Sequence, residues 1–246
     1  MKDTKVDIKV NGKSVEQYEH NDCTFIDARE GTEYTISVKN NSFRRKLAIV
    51  TVDGVNIITG EAQGNDNKNG YVINGYSVVD IKGFRQDLDS VGTFKFCKKG
   101  ESYCNQKGLK GNNGVIGVRV YNEKEQVHVS WTTYDSGTFF DNDYFKHSGN
   151  PITTASPSEE NVYRSDISCS SLTNQSFDLG TTWGKKVNDS VTEVSFDPEV
   201  DFEDTIIYYD TRKNLEKMGI SFKKEKQISM PKAFGNFAKP PKGWNG

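Results

Sequence analysis

The chain has 246 residues and a mass of 27.6 kDa, enough for one large β-domain or for one domain with a smaller appendage. Only 34% of residues are hydrophobic and mean hydropathy is -0.71, while 11% are aromatic and 22 are Gly, which suits short strands joined by many turns and argues against a helical bundle. With 32 Lys and Arg against 34 Asp and Glu, the formal charge of -2 offers no overall positive field for nucleic acid or an anionic membrane.

The N-terminal residues Met1 to Gly12 alternate charged and apolar side chains, include no apolar run of a signal sequence, and end in the turn dipeptide Asn11-Gly12. They suit either a terminal strand or an arm that orders on a partner, and residues 1–31 are assigned as N-terminal arm and first strand. From Thr32, Tyr34, Ile36 and Val38 alternate with Thr35, Ser37 and Lys39, placing three large side chains on one strand face. Leu47 to Val52 is a nearly continuous apolar strand, Asp53-Gly54 is a hairpin dipeptide because both central positions of a type I′ turn need positive φ, and Val55 to Ile58 returns. Gly64 to Gly70 is a polar loop. Short strands follow at Tyr71–Ile73, Val78–Ile81, Gly92–Phe96 and Val115–Tyr121, the spacing of a β-sandwich or jelly roll, so residues 32–145 are expected to form the body. Residues 146–180, rich in Ser, Thr, Asn and Pro from Ser148 to Glu160, read as a polar linker or long loop. Residues 181–246 are expected to hold strands at Val191–Phe196 and Thr205–Tyr209, then a helix from Arg212 to Met218. Asp210 or Thr211 caps it and Gly219 closes it. The tail from Met230 to Trp244 is expected to be extended and to lie against the body through Phe234, Phe237 and Trp244.

Chemistry-bearing patterns are sparse. Four cysteines, Cys23, Cys97, Cys104 and Cys169, are too few for a disulfide scaffold and contain no C-x-x-C pair. Free thiols in a cytoplasmic setting are the plain reading, with a Cys97–Cys104 bridge as the alternative. His20, His128 and His147 stand alone, and no nucleophile elbow or phosphate loop is present. The acidic run Asp197, Glu199, Asp201, Glu203 and Asp204 reads as a solvated loop in preference to a glycosidase pair, since adjacency does not set the separation of two carboxyls. Asn65-x-Asn67-x-Asn69-Gly70 and Asp141-x-Asp143 only superficially follow calcium loops. Arg44-Arg45-Lys46 and Arg85 read as solvated strand ends or, as the alternative, as grips on a carboxylate-rich neighbour or a phosphate. The sequons at Asn40, Asn174 and Asn188 read as accidental. No catalytic, cofactor-binding or metal residue is assigned, and no cofactor is expected.

Several stretches carry a resemblance together: Glu33-Tyr34-x-Ile36-x-Val38-x-Asn40, Val52-Asp53-Gly54-Val55-Asn56, Gly70-Tyr71-Val72-Ile73, Ile81-x-Gly83-Phe84-Arg85, Gly114-Val115-Ile116-Gly117-Val118, Ile207-Tyr208-Tyr209-Asp210-x-Arg212 and Pro240-Pro241-x-Gly243-Trp244. The chain resembles a family of β-rich proteins of tailed bacteriophages and prophage-like loci. That resemblance implies a non-enzymatic virion protein, assembled in the host cytoplasm, that decorates the capsid or sits at its vertices. The implied partners are the major capsid protein or vertex proteins and further copies of itself, with no nucleic acid and no membrane. The expected fold is mainly β, a β-sandwich or jelly-roll-like body with one short C-terminal helix and extended terminal arms. The alternatives are a glycan or host-surface binding module, for which Tyr71, Tyr76, Tyr144 and Phe145 supply stacking rings, and, third, a polysaccharide-degrading enzyme.

Overall fold

A computed structural model describes residues 3–62, 69–109, 113–125 and 176–222; the linker at Ser148–Glu160, His128, His147, Asp141, Asp143, Tyr144, Phe145, Cys169 and the tail from Met230 lie outside the described residues. The strands are Thr4–Val10 (β1), Lys13–Ser14 (β2), Gln17–His20 (β3), Cys23–Asp27 (β4), Glu33–Asn40 (β5), Lys46–Val52 (β6), Val55–Asn56 (β7), Tyr71–Ile73 (β8), Val78–Ile81 (β9), Gly83–Arg85 (β10), Ser90–Lys98 (β11), Val115–Glu123 (β12), Leu179–Asn188 (β13) and Pro198–Asp210 (β14). Two short helices, Tyr103–Gln106 (α1) and Arg212–Lys217 (α2), complete the described chain with one 3-10 turn at Lys99–Glu101.

These strands make two seven-stranded sheets. The first runs β13–β11–β5–β1–β2 and is antiparallel throughout. In it β5 and β11 pair directly only at Tyr34↔Phe94 and Glu33↔Lys95. Where they part, β9 pairs with β5 and β10 with β11, so the chain around Lys82 fills the wedge. The second runs β3–β4–β14–β12–β6, with β7 and β8 sharing the far edge of β6, and only β4 and β14 are parallel. Val6, Ile8, Ile36 and Phe94 of the first sheet and Ile26, Val50, Val118 and Ile207 of the second belong to one buried cluster, so the sheets pack face to face as a sandwich.

The unbroken apolar run of β6 has a direct cause. Ala48, Val50 and Val52 enter the central core, while Leu47 and Ile49 join Tyr121 on the outer face, where Phe196 and Phe202 pack over them. A strand covered on both faces has no polar position to alternate with. The Asp53-Gly54 hairpin forms as expected, with Val52 opposite Val55 and φ of 53° and 77° at the two turn residues. Helix α2 also forms as expected: the Thr211 side chain accepts from the Asn214 N–H, and Gly219 follows the end at φ 88°.

Other expectations are narrowed or corrected. Of the two alternatives for the N-terminus, the strand forms and the arm does not: β1 pairs with β5 from Thr4↔Asn40 to Lys9↔Thr35 and buries Val6 and Ile8. Its alternation of charged and apolar residues is that of a strand with one face in water, not of a segment awaiting a partner. The division of the body from a C-terminal β segment also fails, because β14 lies between β4 and β12 and β13 pairs with β11. The boundary at 180 falls inside β13. Val191–Phe196 forms no strand, while the acidic run is largely strand β14, not a solvated loop. Two of its carboxylates find arginines there: Glu199 pairs with Arg44 at 2.6 Å and Asp204 with Arg119 at 2.8 Å.

Candidate functional site

The turn between β6 and β7 places the Asp53 carboxylate inside the sandwich, 1% exposed. Its Oδ1 accepts from the Gly114 N–H at 2.9 Å, from the Tyr209 hydroxyl at 2.7 Å and, more weakly, from the Val115 N–H at 3.5 Å, and its Oδ2 accepts from the Thr181 N–H at 2.7 Å. Since Tyr209 donates to the carboxylate, its oxygen accepts from Thr181 Oγ1 at 2.8 Å, and Thr181 in turn accepts from the Tyr34 hydroxyl, also at 2.8 Å. One polarised chain of hydrogen bonds therefore runs from β5 and β13 of the first sheet to β14 and the β6–β7 turn of the second. Burial pushes Asp53 from 3.8 up to about 6 while the four donors hold it down, so it is a carboxylate at neutral pH. Burial also lifts Tyr34 and Tyr209 well above the ordinary phenol range and, with the Asp53 charge, lifts Cys97 to about 12. Sealed from solvent, the cluster has no face for a substrate and acts as a clasp between the sheets.

The basic patterns singled out in sequence are spent within the chain. Arg44 grips Glu199, Arg45 pairs with Glu123 at 2.9 Å, and buried Lys46 donates to Thr4 Oγ1 at 3.2 Å. Arg85 pairs with Asp189 at 2.6 Å and donates to the Tyr71 hydroxyl at 2.9 Å, which takes Tyr71 out of the set of free stacking rings. Holding Asp189 between Lys82 and Arg85 outweighs the effect of its burial and lowers that carboxyl. His20 of β3 lies against Gly219, clear of any metal cluster, and among the described residues no three His, Cys, Asp or Glu side chains converge as metal ligands. Cys97 and Cys104 are both free, leaving the alternative bridge unformed, whereas Cys23 is disulfide-bonded, which corrects the reading of all thiols as free.

One end of the sandwich is different in character. Asn40, fully buried, donates through Nδ2 to the Arg44 carbonyl at 2.7 Å and the Asn74 carbonyl at 3.1 Å, and through Oδ1 accepts from the N–H and the hydroxyl of Ser42. That side chain staples loop 41–45 to loop 74–77 and is thereby unavailable as a glycan acceptor. Gly75 fits because a Cβ there would lie 2.2 Å from the Phe43 carbonyl oxygen. Tyr76 adopts φ 55° and donates its N–H to the Ser42 carbonyl at 2.9 Å. The stapled loops hold two large rings out in water, Phe43 at 73% and Tyr76 at 72% exposure, with half-exposed Val78 following in β9. Two large rings this exposed on an ordered backbone make this end of the sandwich the candidate contact surface.

Sequence reading named Tyr76 as a candidate stacking ring but missed Phe43 and the buried clasp. Asp53-Gly54 signalled a turn and gave no sign of where the carboxylate would point, because Thr181 and Tyr209 are 128 and 156 residues away. No family model matches the chain, and no curated protein or solved structure shows significant similarity to it.

Proposed function

We propose that this chain is a structural virion protein that binds the exterior of a tailed-bacteriophage head, as a decoration protein or as part of a vertex complex, and performs no catalysis. The observation that carries the reading is the exposed pair Phe43 and Tyr76 on stapled loops, at one end of a sandwich whose buried carboxylate is engaged internally. The loop backbone that carries the rings is already ordered, so little backbone freedom is lost on docking and part of their burial, about 1.5–3 kcal/mol each, becomes binding energy. Many equivalent positions on one particle then multiply a weak single contact. The resemblance of Glu33 to Asn40, Gly70 to Ile73 and Gly114 to Val118 to phage β-proteins supports the same assignment.

The test is reconstitution of purified chain onto heads that lack it, with bound copies counted by mass spectrometry. Wild-type protein is expected to saturate heads, and Phe43→Ser with Tyr76→Ser to lower occupancy while the circular dichroism spectrum is unchanged. Heads that bind neither form, or both equally, refute the assignment. One observation favours a second reading: exposed Asn74 and exposed Tyr76 lie two residues apart in the same loop, residue types that suit hydrogen bonding to and stacking on a sugar. Glycan-array binding abolished by Tyr76→Ser, without head binding, would select that reading.

A further inference from the structure

Strand β14 outruns one of its neighbours. It is 13 residues long and pairs with β12 down to Pro198, but on its other side β4 reaches only Ile207 to Asp210. Among the described residues nothing pairs with that side from Glu199 to Thr205. The direction of the backbone groups there follows from one bond. The Tyr209 N–H donates to the Gly114 carbonyl, and the register with β12 is unbroken from Tyr208 to Phe202, so Thr205 and Glu203 also turn their N–H and C=O groups toward β12. Phe202 and Asp204 turn theirs the other way, to an open sheet edge.

The side chains along this edge decide what fits it. Phe202 packs against Tyr121 on the outer face, and Val200 stands 87% exposed. The carboxylates divide into two sets. Glu199 and Asp204 are held by Arg44 and Arg119, whereas exposed Asp201 and half-buried Glu203 have no cationic partner among the described residues. A strand added about 4.8 Å away sets its side chains directly across from these. A second copy of β14 would bring Asp201 and Glu203 against the same carboxylates, and like charges across a strand pair are destabilising. An extended segment with Lys or Arg at alternate positions meets both with opposite charge, and its intervening apolar residues lie beside Val200 and Phe202.

We propose that the open edge of β14, from Glu199 to Thr205, is a strand-addition site for an extended segment of another protein that alternates basic and apolar residues. Main-chain hydrogen bonds to Phe202 and Asp204 supply affinity, and Asp201, Glu203, Val200 and Phe202 select the side chains. The Arg44–Glu199 ion pair ties the start of this edge to the loop that carries Phe43. The site rests on the geometry and charge of the strand itself and holds whether or not the chain binds phage heads.

Amide hydrogen exchange followed by NMR, on the full-length protein titrated with a capped seven-residue peptide of alternating lysine and valine, tests this directly. Saturation with the peptide should slow exchange about tenfold or more at the Phe202 and Asp204 amides and leave Glu203 and Thr205, already bonded to β12, unchanged. Methylating one set of alternate amides of the peptide should abolish binding and methylating the other set should not, because only one edge of an added strand meets the sheet. The Asp201→Asn, Glu203→Gln double variant should bind about tenfold more weakly with its fold intact. A glutamate–valine peptide should not bind. If the lysine peptide does not bind, or binds without protecting Phe202 and Asp204, or the glutamate peptide binds equally, the proposal is overturned. Protection of the same two amides that grows with the protein's own concentration would seat a second copy at the edge and overturn it as well.

Discussion

Asp53→Asn probes the clasp between the sheets with little change of shape. Asparagine tolerates the left-handed backbone at φ 53° and nearly preserves volume, but only one of its two terminal atoms can accept a hydrogen bond. Three donors, the Tyr209 hydroxyl and the N–H groups of Gly114 and Val115, converge on Oδ1, so the amide oxygen must remain there. The amide NH2 then faces the Thr181 N–H, which now sits 2.7 Å from Oδ2, and donor meets donor. One buried N–H left without an acceptor costs about 1–3 kcal/mol, partly offset by removing a buried charge, and a net loss of about 2 kcal/mol is expected at pH 7. That is a sizeable share of the about 5–15 kcal/mol available to a folded domain.

The pH dependence isolates the charge. Burial raises Asp53 from 3.8 to about 6, so on acidification the native state takes up the proton before the unfolded chain does. Stability from this group is fully present below 3.8 and is lost as pH rises through about 6, about 3 kcal/mol in all. The stability difference between wild type and Asp53→Asn should therefore be largest near pH 4 and smallest at pH 7. Carboxyls lowered in the folded state, such as Asp80 and Asp189, add the opposite slope, but they do so in both proteins and cancel in the difference. Urea unfolding followed by circular dichroism at several pH values measures it. A variant as stable as wild type at pH 7, or a difference that stays flat from pH 4 to pH 8, would refute the clasp.

Two further outcomes follow from the sandwich. Deleting residues 1–12 should abolish the cooperative unfolding transition, because Val6 and Ile8 each contribute about 1.5–3 kcal/mol of burial and β5 loses its partner along six residue pairs; a retained transition would place β1 outside the core. Gly54→Val should lower stability by about 1–2 kcal/mol, since φ 77° is costly for a β-branched residue, and an unchanged melting temperature would count against the type I′ turn.

Local pattern was sufficient wherever a feature depends on near neighbours. The period of two at Tyr34, Ile36 and Val38, the Asp53-Gly54 turn, and the cap and stop at Thr211 and Gly219 are all set by residues within a few positions, and all stand in the structure. The mainly β class follows from the same local signals repeated along the chain. Of the candidate contact surface, Tyr76 was legible as an aromatic among turn residues. Phe43 was not, because its exposure depends on Asn40 joining two loops that are far apart in sequence.

What the sequence could not settle turns on long-range pairing. Alternating residues at the N-terminus fit an arm or a strand equally, and only pairing with β5 decides between them. The acidic run looked solvated because its partners, Arg44 and Arg119, are 155 and 85 residues away. The placement of β14 beside both β4 and β12 unites the two ends of the chain in one sheet, and no local preference encodes which edge a strand will join. Asp53 makes the point most sharply: its turn was determined by two adjacent residues, but its burial and its raised pKa exist only because Thr181 and Tyr209 arrive from elsewhere in the fold.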